Sequence, residues 1–310
     1  MKEIILKRAL RDFGIDARQP VVLTRESADN IVFTLGARDK KVLRISKRLP
    51  VDDIVFECEA VNYLVKNDAP VPRFLPAESG EYYALIDGTV VVLAEFIEGH
   101  HVEVDKDHLP TEQHAFEAGR GLAEIHNAGE HFHSSSPRHR TIFSELERAL
   151  RMERVFAGEF EGGKDFIDHV RAAIRFGKEH YEGIGLIHND YRPGNVFFDD
   201  SKKLSGIIDF DWSCIAPIKK DFALGILEWS FPDGANTADQ RVFDSFMEGY
   251  NSFAHHKQVR DRQLYQWIAF AALSDAATYF CDLVEDPAAK KRTISSYMYR
   301  KHLFFADKQQ

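Results

Sequence analysis

Residues 188–195 read H-N-D-Y-R-P-G-N, and residues 207–211 read I-I-D-F-D. The first run fits H-x-D-x-x-x-x-N and fixes His188, Asp190 and Asn195; the second puts Asp209 at the end of an apolar stretch. This layout suits phosphoryl transfer, a reaction that needs little covalent help from protein but much alignment and charge neutralisation. Asp190 is the group to receive or orient an acceptor hydroxyl. Asn195 and Asp209 offer the hard oxygen donors that Mg²⁺ prefers. A lone Asp or Asn in a loop is more often a turn former or a cap. The joint spacing of four such residues carries the reading.

The flanking sequence predicts how these groups meet. Residues 196–198 (V-F-F) and 204–208 (L-S-G-I-I) bracket the polar run D-D-S-K-K, a strand-turn-strand pattern that folds Asp209 back beside Asn195. In the first hundred residues, 21–23, 31–35 and 41–45 read as extended segments. Residues 51–66 have helical spacing through Val55, Cys58, Val61 and Leu64, and P-V-P at 70–72 ends that helix. Residues 82–86 and 89–94 flank Asp87-Gly88, a strong hairpin signal. Beyond Gly99 the pattern turns helical. Ser144-x-x-Glu147 reads as a capping box, Phe166, Val170, Ile174 and Tyr181 form a stripe, and 238–252, 262–282 and 287–304 read as helices. The expectation is an α+β, bilobal chain: a small β-rich lobe with one helix at 1–94, a hinge at 95–100, and a larger, mostly helical lobe at 101–310. A cleft between lobes is a usual place for a ligand.

Composition narrows the class. The chain has 310 residues, 44% hydrophobic and 29% charged, which is ordinary for a globular protein. A net charge of -9 gives a nucleic-acid partner no electrostatic support. Cys58, Cys214 and Cys281 are scattered, without metal spacing, which suits a reducing compartment. The N-terminal residues lack a signal-peptide core, and no run approaches the roughly 20 apolar residues of a membrane span. The expected location is the cytoplasm, with no membrane partner.

On five segments the chain resembles the aminoglycoside phosphotransferase family, protein-kinase-like small-molecule kinases that include choline and homoserine kinases. The segments are V-L-R-I (42–45), F-E-C-E-A-V (56–61), L-A-E-F-I-E-G (93–99), H-N-D-Y-R-P-G-N (188–195) and I-D-F-D-W (208–212). The resemblance runs from about residue 21 to about residue 235 and implies a protein-kinase-like fold. It implies ATP (in some members GTP), Mg²⁺ and a small hydroxyl-bearing acceptor, an amino sugar or amino alcohol. Carried over residue by residue, Asp190 matches the catalytic aspartate, and Asn195 and Asp209 match the metal ligands. Arg192 stands where a cation faces the transferring phosphate. Arg44 takes the place of the phosphate-binding lysine, and Glu59 that of the acid orienting it, with Glu57 as rival. Backbone groups of Glu95 and Ile97 match the adenine contacts of the hinge. His188 and Asp221 match structural organisers of the loop.

Two features depart from the family pattern. The phosphate-covering loop, T-R-E-S-A-D-N-I at 24–31, has no glycine, so Ser27 and Asn30 are the expected donors. Asn189 stands where the family carries a glycine or another small residue. For the acceptor, Asp211, Glu228 and Asp233 are the favoured acids. Asp275, Asp282 and Glu285 are further candidates, and Trp212, Trp229 and Phe231 offer a cation-binding face. Alternatives are a homoserine- or choline-kinase-like metabolic enzyme, a nucleotide-binding pseudokinase, which the glycine-free loop favours, and a protein kinase, which the short stretch from 212 to 221 opposes.

Overall fold

The computed structural model describes residues 2–27, 30–47, 49–105 and 107–307. The N-terminal lobe is an antiparallel sheet between two helices. Strands β1 (Val21–Glu26), β2 (Asn30–Leu35), β3 (Lys41–Ser46), β4 (Phe74–Leu75), β5 (Ala84–Ile86) and β6 (Thr89–Glu95) assemble in the order β1-β2-β3-β6-β4, with β5 also on β6. Side chains alternate across the sheet. Leu43, Ile45, Val91 and Leu93 point to one face, where helix α1 (Lys2–Asp12) lays Ile5, Ala9 and Leu10 on them. Val90, Val92 and Ala94 point to the other face, packing with helix α2 (Val51–Lys66). The register Val32↔Arg44↔Val92 puts Arg44 on that second face.

The sequence predicts one helix in this lobe; α1 is a second. Its signal is the spacing of Ile5, Ala9 and Leu10, which one short amphipathic turn pattern supplies. The Asp87-Gly88 turn has φ of 50° and 79°, the conformation that joins β5 to β6.

The C-terminal lobe is helical around two small two-stranded sheets. Its helices are α3 (Glu112–Ala128), α4 (Ser144–Arg151), α5 (Glu153–Glu159), α6 (Gly163–Glu179), α7 (Ile218–Ser230), α8 (Gln240–Phe253), α9 (Arg262–Glu285) and α10 (Tyr297–Asp307). Strands β7 (Ile184–Ile187) and β10 (Cys214–Pro217) pair antiparallel, as do β8 (Val196–Phe198) and β9 (Leu204–Ile207). The second pair is the hairpin expected between Asn195 and Asp209. Helices α3 and α8 cross in backbone contact: a Cβ on Gly249 would lie 1.9 Å from the Phe116 carbonyl oxygen. Helix α9 has the length and apolarity of a membrane span, yet most of it is buried inside this lobe.

Three expectations shift. Ser144 is not a cap; its Oγ accepts from the Thr141 N–H at 2.8 Å, and α4 starts after Phe143 without a side-chain cap. Tyr181 falls beyond α6 and is 42% exposed. The expected helix at 287–304 begins only at Tyr297, because Asp286 closes a turn onto the Ala288 N–H and residues 293–294 pair with Glu161. All three cysteines are free and buried, and burial pushes the Cys214 and Cys281 thiols up to about 12.

Candidate active site

Strand β7 delivers residues 188–190 to a place beside the 208–212 loop. Asp221, in the first turn of α7, is fully buried and receives the backbone N–H groups of His188 and Asn189, each at 2.8 Å. His126 of α3 reaches the same carboxylate at 3.1 Å and is itself held by the Tyr250 hydroxyl at 2.8 Å. Burial alone would raise Asp221; the hydrogen bond and charge of His126, with Lys220 and His188, outweigh it and hold the carboxyl below its usual range. Asn189 sits at φ 64°, a conformation that glycine takes freely and Asn tolerates best among side-chain-bearing residues. Its side chain is used: Nδ2 donates to the Trp212 carbonyl at 3.2 Å, and Oδ1 accepts from the buried Lys220 ammonium. His188 donates from Nε2 to the Ile208 carbonyl at 2.9 Å, so Nδ1 accepts from the Asp190 N–H at 3.2 Å.

That arrangement fixes the Asp190 backbone. One carboxylate oxygen accepts from Arg192 Nε at 2.7 Å, the other from Asn195 Nδ2 at 2.9 Å. The same Asn195 amide donates to the Asp190 carbonyl at 2.9 Å, which leaves Asn195 Oδ1 for another partner. Burial raises the Asp190 carboxyl, and the charges of Arg192 and His188 pull against that rise. Burial would lower the Arg192 guanidinium, but Asp190, then Glu228 and Asp275, raise it.

Asp209 adopts φ 70° at the end of β9, and the Ile208 N–H donates to the Asn195 carbonyl at 2.9 Å, so the two loops are stitched together. Among the described residues Asp209 has no hydrogen-bond or ion-pair partner. Burial first, and the Asp211 carboxylate second, push it up to about 7. Asp211, expected at the acceptor, is instead 5% exposed behind Asp209, with a carboxylate oxygen 3.4 Å from Arg140. The carboxylates of Asp209 and Asp211 and the side-chain Oδ1 of Asn195 are hard oxygen donors whose two negative charges fit Mg²⁺. No three acidic, His or Cys groups among the described residues converge as a closed metal cage. An ion that keeps waters and takes phosphate oxygens does not need one.

In the N-terminal lobe, Arg44 forms a two-pronged pair with Glu57: Nη1 to Oε1 at 2.8 Å and Nη2 to Oε2 at 2.5 Å, side chains 11% and 1% exposed. The expected partner, Glu59, is displaced by helix phase. Two residues along a helix lie about 200° apart, so only one of the two acids can face β3. Glu59 turns away and accepts from Ser134 at 2.5 Å and Ser135 at 3.1 Å. Ser27 pairs with the Asn30 backbone, the Asn30 N–H donating to Ser27 Oγ at 3.1 Å and the Ser27 N–H to the Asn30 carbonyl at 2.9 Å, while Asn30 Oδ1 accepts from Ser46 Oγ at 3.3 Å. These bonds close the β1–β2 turn on which the phosphate contacts are expected; Ala28 and Asp29 lie outside the described residues.

The hinge follows β6. The Glu95 N–H donates to the Arg73 carbonyl at 3.0 Å, Ile97 covers Gly206, and His100 exchanges two backbone hydrogen bonds with Phe198, at 3.0 and 2.9 Å. Within the helical lobe, Lys301 of α10 is 4% exposed, 3.2 Å from Asp233 and 3.8 Å from Glu228. Asp275 of α9 faces Glu228, Arg192, Lys220 and Asp190 without a hydrogen bond or ion pair among the described residues. Burial, then Glu228, pushes it up to about 7. Asp282 and Glu285 are taken up by Arg148 on the surface, each at 2.7 Å. The aromatic face is not assembled: Trp229 and Phe231 are core residues, 0% and 2% exposed, and Trp212 carries Arg140 at 4.1 Å. Sequence reasoning missed Lys220, Arg138 and Arg140, whose partners are remote in the chain.

Comparison with known proteins places the chain in a family. The model of the APH phosphotransferase enzyme family matches residues 22–256. A homoserine kinase of Rhizobium meliloti (strain 1021) is 30% identical over 211 residues, 66% of this chain. The match spans 61% of that relative's length. Among solved structures, an amicoumacin kinase in complex with AMP-PNP, Ca²⁺ and Ami superposes with TM-score 0.73 at 15% identity, covering 99% of this chain and 92% of its own. A microcompartment-associated aminopropanol kinase gives 0.68 at 18% identity, covering 99% and 95%. At these identities the structural likeness speaks for the fold.

Proposed function

Because the chain belongs to the APH phosphotransferase enzyme family, we propose that it transfers the γ-phosphoryl group of ATP to the hydroxyl of a small amine-bearing alcohol, foremost an amino acid of the homoserine type. The observation that carries the reading is Asp190, whose carboxylate is held between Arg192 and Asn195 and stitched through Asn195 to the Asp209 loop. In this reading ATP lies between residues 1–94 and 101–310, with its base at the hinge, 95–100. Arg44, fixed by Glu57, pairs with phosphate oxygens. Asn195 and Asp209, with Asp211 behind, would hold Mg²⁺. The ion, when bound, would neutralise triphosphate charge. Asp190 orients the acceptor hydroxyl and takes its proton as the new O–P bond forms and the bond to the leaving ADP oxygen breaks. Arg192 offsets charge on the transferring oxygens.

The acceptor preference rests on two supports. The curated similarity is to homoserine kinases. Around Arg192 the helical lobe gathers Asp190, Asp221, Glu228, Asp233 and Asp275 against Arg192, Lys220 and Lys301, an excess of acids that suits an ammonium. The test is ADP release with Mg²⁺ across homoserine, 3-aminopropanol, 4-hydroxybutyrate, choline, an aminoglycoside and a sugar. Homoserine or 3-aminopropanol should give the highest kcat/KM. Turnover of none of these hydroxyls would remove the reading; a preference for 4-hydroxybutyrate would remove the ammonium assignment alone.

A further inference from the structure

A strap at residues 133–141, between α3 and α4, belongs by connectivity to the helical lobe yet binds the helix that carries Glu57. Ser134 and Ser135 donate to Glu59, and the His139 N–H donates to Asp53 Oδ1 at 2.7 Å. At its centre is Arg138, with a side chain 7% exposed and packed over the Phe56 ring at 5.2 Å. Nη1 donates to the Asp53 carbonyl at 3.0 Å, and the same nitrogen lies 3.4 Å from the Asp53 carboxylate. On its other side Nε donates to the Ser213 carbonyl at 2.7 Å, and Nη2 to the Asp211 carbonyl at 2.5 Å. One planar guanidinium therefore spans the start of α2 and the chain just after Asp209. Its fork holds several carbonyls in fixed relation, which a flexible ammonium cannot do.

We propose that Arg138 is a positioning residue that couples the two halves of the phosphate site: it docks α2, and with it the Arg44–Glu57 pair, against the 209–213 loop, so that Arg44 and Asp209 are set together. The proposal rests on the kinase reading above. Without the guanidinium, the Ser213 carbonyl loses its Arg138 donor and the Asp211 carbonyl keeps only Arg140, while α2 is left with the contacts of Glu59, Asp53 and Asp52 with the strap and of Phe56 and Tyr63 with Phe132. Cleft opening then separates Arg44 from Asp209.

Arg138→Met keeps the contact with Phe56 and removes every hydrogen bond. Two quantities are read: kcat with the best acceptor, and the Mg²⁺ concentration giving half the thermal upshift produced by Mg²⁺ with AMP-PNP. The expected result is a loss in kcat of about 100-fold, as displacements of this kind cost, and an Mg²⁺ midpoint raised about tenfold or more. KM for the acceptor should move less than about threefold, because only phosphate-side groups are displaced. Arg138→Lys should recover little, since it cannot reach both sides. A Met variant with a lower Tm but wild-type kcat and Mg²⁺ midpoint would mean packing alone, and full rescue by Lys would equally overturn the proposal. If the Met variant does not fold, Asp53→Asn, which weakens the ion pair and keeps an oxygen for His139, must raise the Mg²⁺ midpoint; an unchanged midpoint overturns it. A wild-type protein without turnover or nucleotide upshift would instead remove the kinase reading.

Discussion

At the scale of single residues, Asp190 is held ready. Both carboxylate oxygens already accept hydrogen bonds, so the group is fixed in direction before any acceptor arrives. Asp190→Asn keeps the shape and removes the base. It should lower kcat by about 10³-fold, within the range for a lost general base, while the upshift by Mg²⁺ and AMP-PNP persists. A variant within threefold of wild type would refute the role. Asp275 supports a pH prediction. Its neighbours are Glu228 and Lys220 of α7, Arg192 and Asp190 of the catalytic loop, and Tyr297 of α10. Burial and Glu228 push it up to about 7, so on acidification it becomes neutral and ceases to attract an ammonium. KM for an amine-bearing acceptor should therefore fall as pH rises from about 6 to about 8, and the limb should vanish in Asp275→Asn. A flat KM over that interval in the wild type would contradict it. The 188–195 and 209 residues were legible because their spacing is local. The Arg44 partner was not, because a two-residue choice on α2 depends on how that helix is rotated against β3.

At the scale of elements, the catalytic loop depends on α7 more than on itself. Asp221 closes two backbone N–H groups and His126, which α8 in turn supports through Tyr250. Asp221→Ala strands those donors and leaves Lys220 with one carboxylate fewer. It should cost about 3–5 kcal/mol, the range for removing one member of a buried charged pair. Urea unfolding checks this, and a change below 1 kcal/mol would mean that water or a shifted chain satisfies the loop. Strands and long helices were readable from periodicity. Helix α1 was too short a pattern to stand out, and the Ser144 box misled because Thr141 and Phe143 already order that turn. The strap carries no periodic signal at all; R-H-R reads as a polar loop until Asp53, Asp211 and Ser213 surround it.

At the scale of the molecule, sheet and helices form two lobes that meet along α2, through Arg138 with Asp53, Ser134 with Glu59 and Phe132 with Phe56 among others. A nucleotide bound between them joins both lobes in one folded unit. With Mg²⁺ and AMP-PNP at about 100-fold over Kd, stability should rise by about 2.7 kcal/mol and Tm by about 5 °C in a single transition. No shift would exclude a nucleotide site. The bilobal class was legible because strand period gives way to helix period near residue 99. The pairing of acids and bases within the helical lobe was not, because it joins α7, α9 and α10 over long stretches of chain. The buried cysteines bear on how that closure can be watched. With every native thiol shielded and resistant to ionisation, maleimide dyes should ignore the unmodified chain. Cysteines introduced at exposed Val22 and Leu109, 60% and 42% exposed, would carry a donor and an acceptor on opposite lobes with no background labelling. The protein is thus already a clean frame for single-molecule distance measurements.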